Sequence, residues 1–393
     1  MTIRSAVFWL HLALGVLAGA VVAVMSITGI AIAFEQEILA WCDRNVAAVE
    51  LPGDGRPPLS VAELRSILKR ESPGFAADHL VVEQDPRRAW QFWAGRSGPW
   101  YIDPYTGELR ESRAHGVHEA IHFLEDLHRW LAIGGEGRTV GRLITGTSNL
   151  AFLLLCITGI YLWFPKRWSR RAVRYRLRLK PKARGKARDF NWHLVFGFWS
   201  LPVLVVLAGT GVVISFAWAH NLVFRMAGET PPEFRDFRMT LVPPFVVPPP
   251  SEGSERLPLE ALLKSMQDGF PGWQSIRLPL ADLGNTEETA PVKASVTTAD
   301  YMPNRAFIPV ELNPYTGEIL RAIRLQDRSA GLQARIWIRF LHTGAAFGVV
   351  GKIIATLATV ASLFLVYTGY ALSYRRFFSK KRTALLPAER PSH

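Results

Sequence analysis

The chain has 393 residues, 49% of them apolar and 20% charged, with 46 Lys and Arg against 33 Asp and Glu. That balance is too apolar for a single soluble globule and too charged for a chain lying wholly in lipid, so it calls for membrane spans alternating with soluble domains. The net charge of +13 is gathered in a few short segments rather than spread along the chain, which argues against a nucleic-acid partner.

A basic start with Arg4 leads into an apolar run over residues 6–34, long enough to cross a bilayer and longer than a signal-peptide core. This first span (1–34) carries His11 in FWLHLALG. Residues 35–127 form a hydrophilic domain. SVAELRSILKRE (60–71) has a serine cap and helical apolar spacing; the runs HLVVEQ, AWQFWAG and GPWYIDP follow, with PYTGE as a hairpin turn after the last. A helix on a three-stranded sheet is the expectation, with Trp90, Phe92, Trp93, Trp100 and Tyr101 as sheet core or interface belt. HGVHEAIH places His115, His118 and His122 on one helical face, as a polar surface or as a site for a metal ion, cofactor edge or substrate.

His128, in FLEDLHRW, opens a pre-helix and second span (128–164) whose apolar core is 143–164. The loop 165–189 holds twelve Lys and Arg and one Asp, and the tail (375–393) is also basic. Loop, tail and Arg4 fall on one side of a four-span chain. The positive-inside rule makes that side cytoplasmic, with both termini there and an anionic-lipid contact available. The third span (190–220) begins with His193 in NWHLVFG and ends at His220. A second hydrophilic domain (221–341) starts with a Pro-rich run, 230–250, expected as an extended linker. It continues through LPLEALLKSMQ, SIRLPL, VKASVTT and FIPVELNP before another PYTGE. His342 in IRFLHTGAAFGVVGK then opens the last pre-helix and span (342–374). Cys42 and Cys156 are placed too differently for a disulfide between them.

The chain repeats itself. At an offset of 182, His11 meets His193, Gly15 meets Gly197 and Thr28-Gly29 meets Thr210-Gly211. At an offset of 210, Asp103-Pro-Tyr-Thr-Gly-Glu meets Asn313-Pro-Tyr-Thr-Gly-Glu, Gly141-Arg142 meets Gly351-Lys352 and Thr158-Gly159 meets Thr368-Gly369. Each unit is span, outer domain, span. An even number of spans sets both copies the same way up about a pseudo-two-fold axis along the membrane normal. The small Thr-Gly pairs let helices approach closely. His128 lies thirteen residues before Gly141, but His342 only nine before Gly351, so one copy holds an extra turn.

A helix followed by strands ending in (D/N)PYTGE resembles a PepSY domain. Two of them between four spans, with Leu-His before spans two and four, resemble the PepSY-associated transmembrane family of bacterial inner-membrane proteins. The fold class expected is a membrane α-helical bundle of four spans from a duplicated TM–PepSY–TM unit, with two small α+β periplasmic domains. The resemblance extends to haem-containing reductases that release iron from ferric siderophores, and so implies haem b, two per chain.

Imidazole is an axial haem ligand, and two imidazoles give a six-coordinate centre suited to electron transfer. The repeat pairs His11 with His193 near the cytoplasmic face and His128 with His342 near the outer face, with His220 as an alternative outer ligand. Arg142 and Lys352 are equivalent in the repeat and are candidates for the haem propionates; Arg129, Arg138 and Arg339 lie near the same face. The expected activity is a membrane oxidoreductase taking electrons from a cytoplasmic reductase or quinol to a periplasmic ferric siderophore. A non-redox regulator binding a peptide through its PepSY-like domains is the rival. A siderophore permease is disfavoured, because no Asp, Glu, Lys or Arg sits centrally in any span. Nucleotide fingerprints, phosphate loops and nucleophile elbows are absent from the sequence.

Overall fold

A computed structural model of the chain describes residues 2–95, 97–234, 247, 255–280, 290–304 and 306–378. The Pro-rich run expected as a linker lies mostly outside them. The chain opens with α1 (Ile3–Ala33) and a short α2 (Glu35–Cys42). The first hydrophilic segment folds as α3 (Val61–Glu71), β1 (His79–Glu83), β2 (Trp90–Trp93), β3 (Trp100–Ile102) and β4 (Leu109–Glu111). There follow α4 (His115–Trp130), α5 (Arg138–Trp163), α6 (Arg170–Leu177), α7 (Gly185–Ser215) and α8 (Ala217–Met226). The second hydrophilic segment gives α9 (Leu259–Gly269), β5 (Trp273–Pro279), β6 (Val292–Thr298), β7 (Ile308–Leu312) and β8 (Ile319–Ala322), and α10 (Ala330–His342) leads into α11 (Gly348–Phe377).

Helices α1, α5, α7 and α11 are each long and apolar enough to cross a membrane. Both α1 and α7 pack against α5 and α11, so α1 and α7 occupy diagonal corners of a four-helix bundle. Close approach is permitted by small residues. Gly19 leaves room for Tyr370, whose hydroxyl donates to the Val16 carbonyl at 2.9 Å, and Ser26 and Ser362 meet at 2.8 Å between α1 and α11. Helix α7 starts inside the basic loop, earlier than its apolar run, because polar groups anchor it there. The buried Asp189 pairs with Arg188 and with Arg375 of α11, both at 2.9 Å. Asn191 accepts from Lys180 N at 2.9 Å and donates to the Tyr175 and Arg178 carbonyls, tying α6 down.

The hydrophilic segments do not make two separate sheets. Their strands form one antiparallel sheet in the order β4-β3-β2-β1-β5-β6-β7-β8. Each half supplies four strands rather than three, and the halves join where β1 pairs with β5 in the register Val81↔Arg277. Burial alternates along β1, with Leu80 and Val82 buried, as a one-sided sheet requires. That face meets α3 and α9 in a core including Leu64, Leu68, Phe92, Leu262, Met266, Ile276 and Val310. Helix α3 begins in a capping box, Ser60 with Glu63, and its N-terminus also takes Glu260 of α9, which accepts from Ala62 N at 2.9 Å.

The PYTGE motif is the turn it was expected to be. Asp103 Oδ1 accepts from Tyr105 N at 2.8 Å and Thr106 N at 3.2 Å, and Asn313 Oδ1 does the same for Tyr315 and Thr316 at 2.9 and 3.3 Å. Gly107 and Gly317 take φ of +76° and +72°, which explains the glycine at each. The strands after the turns are the ones the alternation had not marked.

Carboxylates join sheet and bundle. Asp43, 1% exposed, accepts from Tyr101 Oη (3.1 Å), Ser112 Oγ (2.7 Å), Arg113 N (2.8 Å) and Ala114 N (3.1 Å), so it closes the start of α4. Burial and the neighbouring Asp43 push the Tyr101 phenol above its ordinary pKa. Glu229 does the corresponding work for α10, accepting from Ser329 Oγ at 2.7 Å and Gly331 N at 2.8 Å.

Candidate histidine-pair centres

At the end of the bundle nearest the basic loop, the diagonal packing of α1 and α7 turns His11 and His193 toward each other. Their ring centres are 6.3 Å apart, with planes at 84°. His11 Nδ1 lies 2.8 Å from Thr158 Oγ1 on α5, and His193 Nδ1 lies 2.9 Å from Thr368 Oγ1 on α11.

At the sheet end the histidines come from the pre-helices, since α4 packs along α1 and α10 along α7. His128 and His342 also have ring centres 6.3 Å apart, with planes at 60°. His128 Nδ1 sits 3.0 Å from Thr28 Oγ1 and 2.9 Å from the Met25 carbonyl; His342 Nδ1 sits 3.2 Å from Thr210 Oγ1 and 3.0 Å from the Leu207 carbonyl. The extra turn expected in the first copy is visible. Helix α4 runs two residues past His128 and is closed by Leu131 and Ala132, both at φ +55°, whereas α10 ends at His342 itself.

The four threonines belong to the four Thr-Gly pairs, expected to serve close helix approach. Each has a single hydroxyl proton, and each hydroxyl lies within donating distance of the carbonyl four residues back on its own helix: Val24 (2.8 Å), Leu154 (2.7 Å), Val206 (2.6 Å) and Phe364 (2.7 Å). With that proton engaged, the oxygen accepts from the imidazole, so Nδ1 carries the hydrogen and Nε2 the lone pair. The carbonyls facing His128 and His342, which only accept, require the same tautomer. The adjoining glycines leave space for the rings. A Cβ at Gly29, Gly159 or Gly211 would come within 3.2, 3.3 or 3.1 Å of the Cε1 of His128, His11 or His342.

This arrangement fits a metal held between two Nε2 atoms. Nitrogens bonded at about 2 Å to one metal, each about 1.1 Å in front of its ring centre, set the centres roughly 6.2 Å apart when all are in line. Both observed spacings are 6.3 Å. An Nδ1–H held by a hydroxyl or carbonyl, with Nε2 directed away, is the outer-shell pattern that orients metal-ligating imidazoles.

Other expected residues fall elsewhere. His220 is fully buried at Nδ1 of Arg335's hydrogen bond (Nε donating, 3.3 Å) and packs on Phe224 and Phe234. Burial pulls the Arg335 guanidinium down to about 10. Arg142 is exposed, while its repeat counterpart Lys352 is buried and donates to Glu37 at 2.8 Å, so the two are not alike in use. Arg129 and Arg138 lie over Trp130 at 5.1 and 4.6 Å, and Arg339 sits one turn before His342 on α10. His115 is exposed with Glu119 at 3.8 Å, while His118 and His122 have ring centres 6.2 Å apart. Among the described residues no three His, Cys, Asp or Glu side chains enclose an ion. Of the aromatics, Phe92 and Trp90 are sheet core, whereas Trp93 lies on the opposite face beside His79 and His118. Cys42 and Cys156 are both free thiols.

The family model described as the PepSY-associated TM region matches residues 8–376. A Pseudomonas aeruginosa protein described only as uncharacterized is 28% identical over 231 residues, covering 57% of this chain and 54% of that protein. The chain thus spans about half the length of the curated relative it matches.

Proposed function

The chain belongs to the PepSY-associated TM family, and on that premise we propose that it is a bacterial inner-membrane haem b reductase that carries electrons to a periplasmic ferric siderophore. The observation that carries the reading is the doubled histidine pair: two levels, each with ring centres 6.3 Å apart and each ring with Nδ1 tied to a threonine hydroxyl. Haem bound at such pairs supplies a one-electron couple closed to oxygen binding.

His11 with His193, and His128 with His342, hold the two groups; the four threonines fix the rings, and the glycines keep their edges clear. On α1 the levels are marked by His11 and Thr28, about 25 Å apart along the helix at 1.5 Å per residue, which covers most of the hydrocarbon. The charge of residues 165–189 supports a cytoplasmic His11 level, where a separate reductase or quinol would deliver electrons. The His128 level then faces the periplasm beneath the sheet. The strand order, which reads outward equally from the β1–β5 junction, supports a duplicated TM–PepSY–TM unit. Arg129 and Arg339, near the sheet-side pair, are better placed for propionates than Lys352, which Glu37 occupies. At the substrate, ferric iron takes one electron and becomes ferrous, whose hold on hard oxygen donors is weaker, so the chelate lets go.

Proteoliposomes with a reductant inside and a ferric chelate outside test the proposal. Ferrous iron is expected outside with the intact protein and not with His193→Ala. Haem that reduces normally while the chelate stays ferric would refute the substrate assignment.

A further inference from the structure

Helix α6, RRAVRYRL over Arg170–Leu177, lies in the basic loop and takes no part in either histidine level. It is held against the end of the bundle. Its cap Ser169 Oγ accepts from Ala172 N at 3.1 Å, Arg176 Nε donates to the Trp163 carbonyl at 2.9 Å where α5 ends, and Trp199 Nε1 donates to the Leu177 carbonyl at 3.0 Å. Tyr175 Oη donates to the Ala187 carbonyl at 3.2 Å. These bonds commit the Tyr175 and Arg176 side of the helix to the protein and leave the other side outward.

The outward side is arginine. Arg170, Arg174 and Arg178 stand four residues apart, the last at the C-terminal cap, and all three are exposed. Among the described residues none of their guanidiniums has a hydrogen bond or an ion pair. Asp189, the one acid of the loop, is taken by Arg188 and Arg375. Like charges four apart on a helix repel, so this face weakens α6 unless an anion lies on it. Along it runs an open cleft of about 980 Å³, lined by the three arginines together with Trp168, Val173 and Leu177. Trp168, and Trp199 beside Leu177, are 66% and 65% exposed. Indoles left that open at the end of membrane spans belong at the headgroup level. Cations above an apolar floor match an amphiphile; a soluble polyanion would leave Val173 and Leu177 wet.

We propose that Arg170, Arg174 and Arg178 bind the phosphates of an anionic membrane phospholipid whose acyl chains lie over Val173, Leu177 and Trp168. A guanidinium fork pairs with two phosphate oxygens at once, which a lysine does not. Arg170 and Arg178 are eight residues apart, about 12 Å along the helix, farther than one phosphate reaches. A headgroup with two phosphates, as in cardiolipin, therefore fits best. A zwitterionic headgroup brings its own cation among the three guanidiniums and is disfavoured. The site rests on the four membrane spans and not on the reductase reading.

The test uses the full-length protein in detergent, stripped of lipid, with added lipid counted on the protein by native mass spectrometry. Cardiolipin is expected to bind more tightly than phosphatidylglycerol, and both more tightly than phosphatidylcholine. Each arginine should be worth about fivefold in cardiolipin affinity, so Arg170→Gln/Arg174→Gln/Arg178→Gln should lose roughly a hundredfold. Lys180→Gln/Lys182→Gln/Arg184→Gln removes the same charge from the same loop and should bind as the parent does. Thermal unfolding checks that each variant is folded, and the single Arg174→Gln, at about fivefold, serves if the triple variant is not. Equal losses in the two triple variants, or cardiolipin and phosphatidylcholine bound alike by the parent, would overturn the site. Millimolar inorganic phosphate that displaces cardiolipin from the parent would overturn the lipid in favour of the free anion. A loss confined to the arginine variant supports the site whether or not the protein holds haem.

Discussion

Thr158 and Thr368 each place an oxygen at an imidazole Nδ1, and their contribution can be read separately from the histidines themselves. Thr158→Val keeps the shape and removes the acceptor, so ligand affinity at the loop-side pair should fall about 10–100-fold. Thr158→Ser should restore it, as followed by haem transfer to a competing apoprotein. The glycines differ in how much they tolerate. A Cβ at Gly211 would lie 2.8 Å from Asn149 Nδ2 and 3.1 Å from His342 Cε1, whereas one at Gly369 would lie 3.9 Å from His193 Cε1. Gly211→Ala should therefore perturb the sheet-side absorption spectrum, and Gly369→Ala should leave the loop-side one nearly unchanged. His79 and His118 are both held below the ordinary histidine value of 6.5, chiefly by burial. The unfolded chain protonates first, so their share of stability is complete above about pH 6.5 and is lost as pH falls through the folded values. Melting temperatures at pH 7.5 and 5.5 should differ less in His118→Gln than in the parent. The histidines themselves were legible because equivalent positions repeat. Their threonine partners were visible as Thr-Gly pairs but not as partners, because a sequence does not state which helices are neighbours.

Helix α4 joins the sheet to the bundle, and Asp43 governs its start. Replacing Asp43 with Ala strands the Tyr101 and Ser112 hydroxyls and the Arg113 N–H, and leaves Ala114 N only Ser112 Oγ, so a loss of about 3 kcal/mol is expected. Because His128 rides on α4, the same variant should broaden the spectrum of the sheet-side pair while sparing the loop-side pair. Gly141 gives a second control: a Cβ there would collide with the Trp130 carbonyl where α4 turns into α5, so Gly141→Ala should move His128 as well. These ties were not legible beforehand. Asp43 and Glu229 lie outside any capping signature adjacent to the helix they serve, and each reaches its target only through the fold. The capping box of α3 and the PYTGE turns were legible because all their bonds are local.

At the scale of the molecule, the two hydrophilic segments act as one sheet, and the β1–β5 junction holds them together. Val81→Cys with Arg277→Cys should form an intramolecular disulfide, detectable by mass spectrometry, since the two residues face each other in register. The offsets of 182 and 210 point to two copies, but alternation reads the same whether a strand edge is open or paired, so the junction could not be foreseen. The short strands after each PYTGE, three and four residues long, were too brief to show a pattern. On the proposed function, two histidine pairs hold two haems at opposite ends of one bundle. A pyridine haemochrome assay with protein quantification, run on the parent, His11→Ala/His193→Ala and His128→Ala/His342→Ala, tests it most directly. Two haems b per chain in the parent and one in each double variant is the predicted result; no haem in the parent, or a content that neither variant changes, would contradict it.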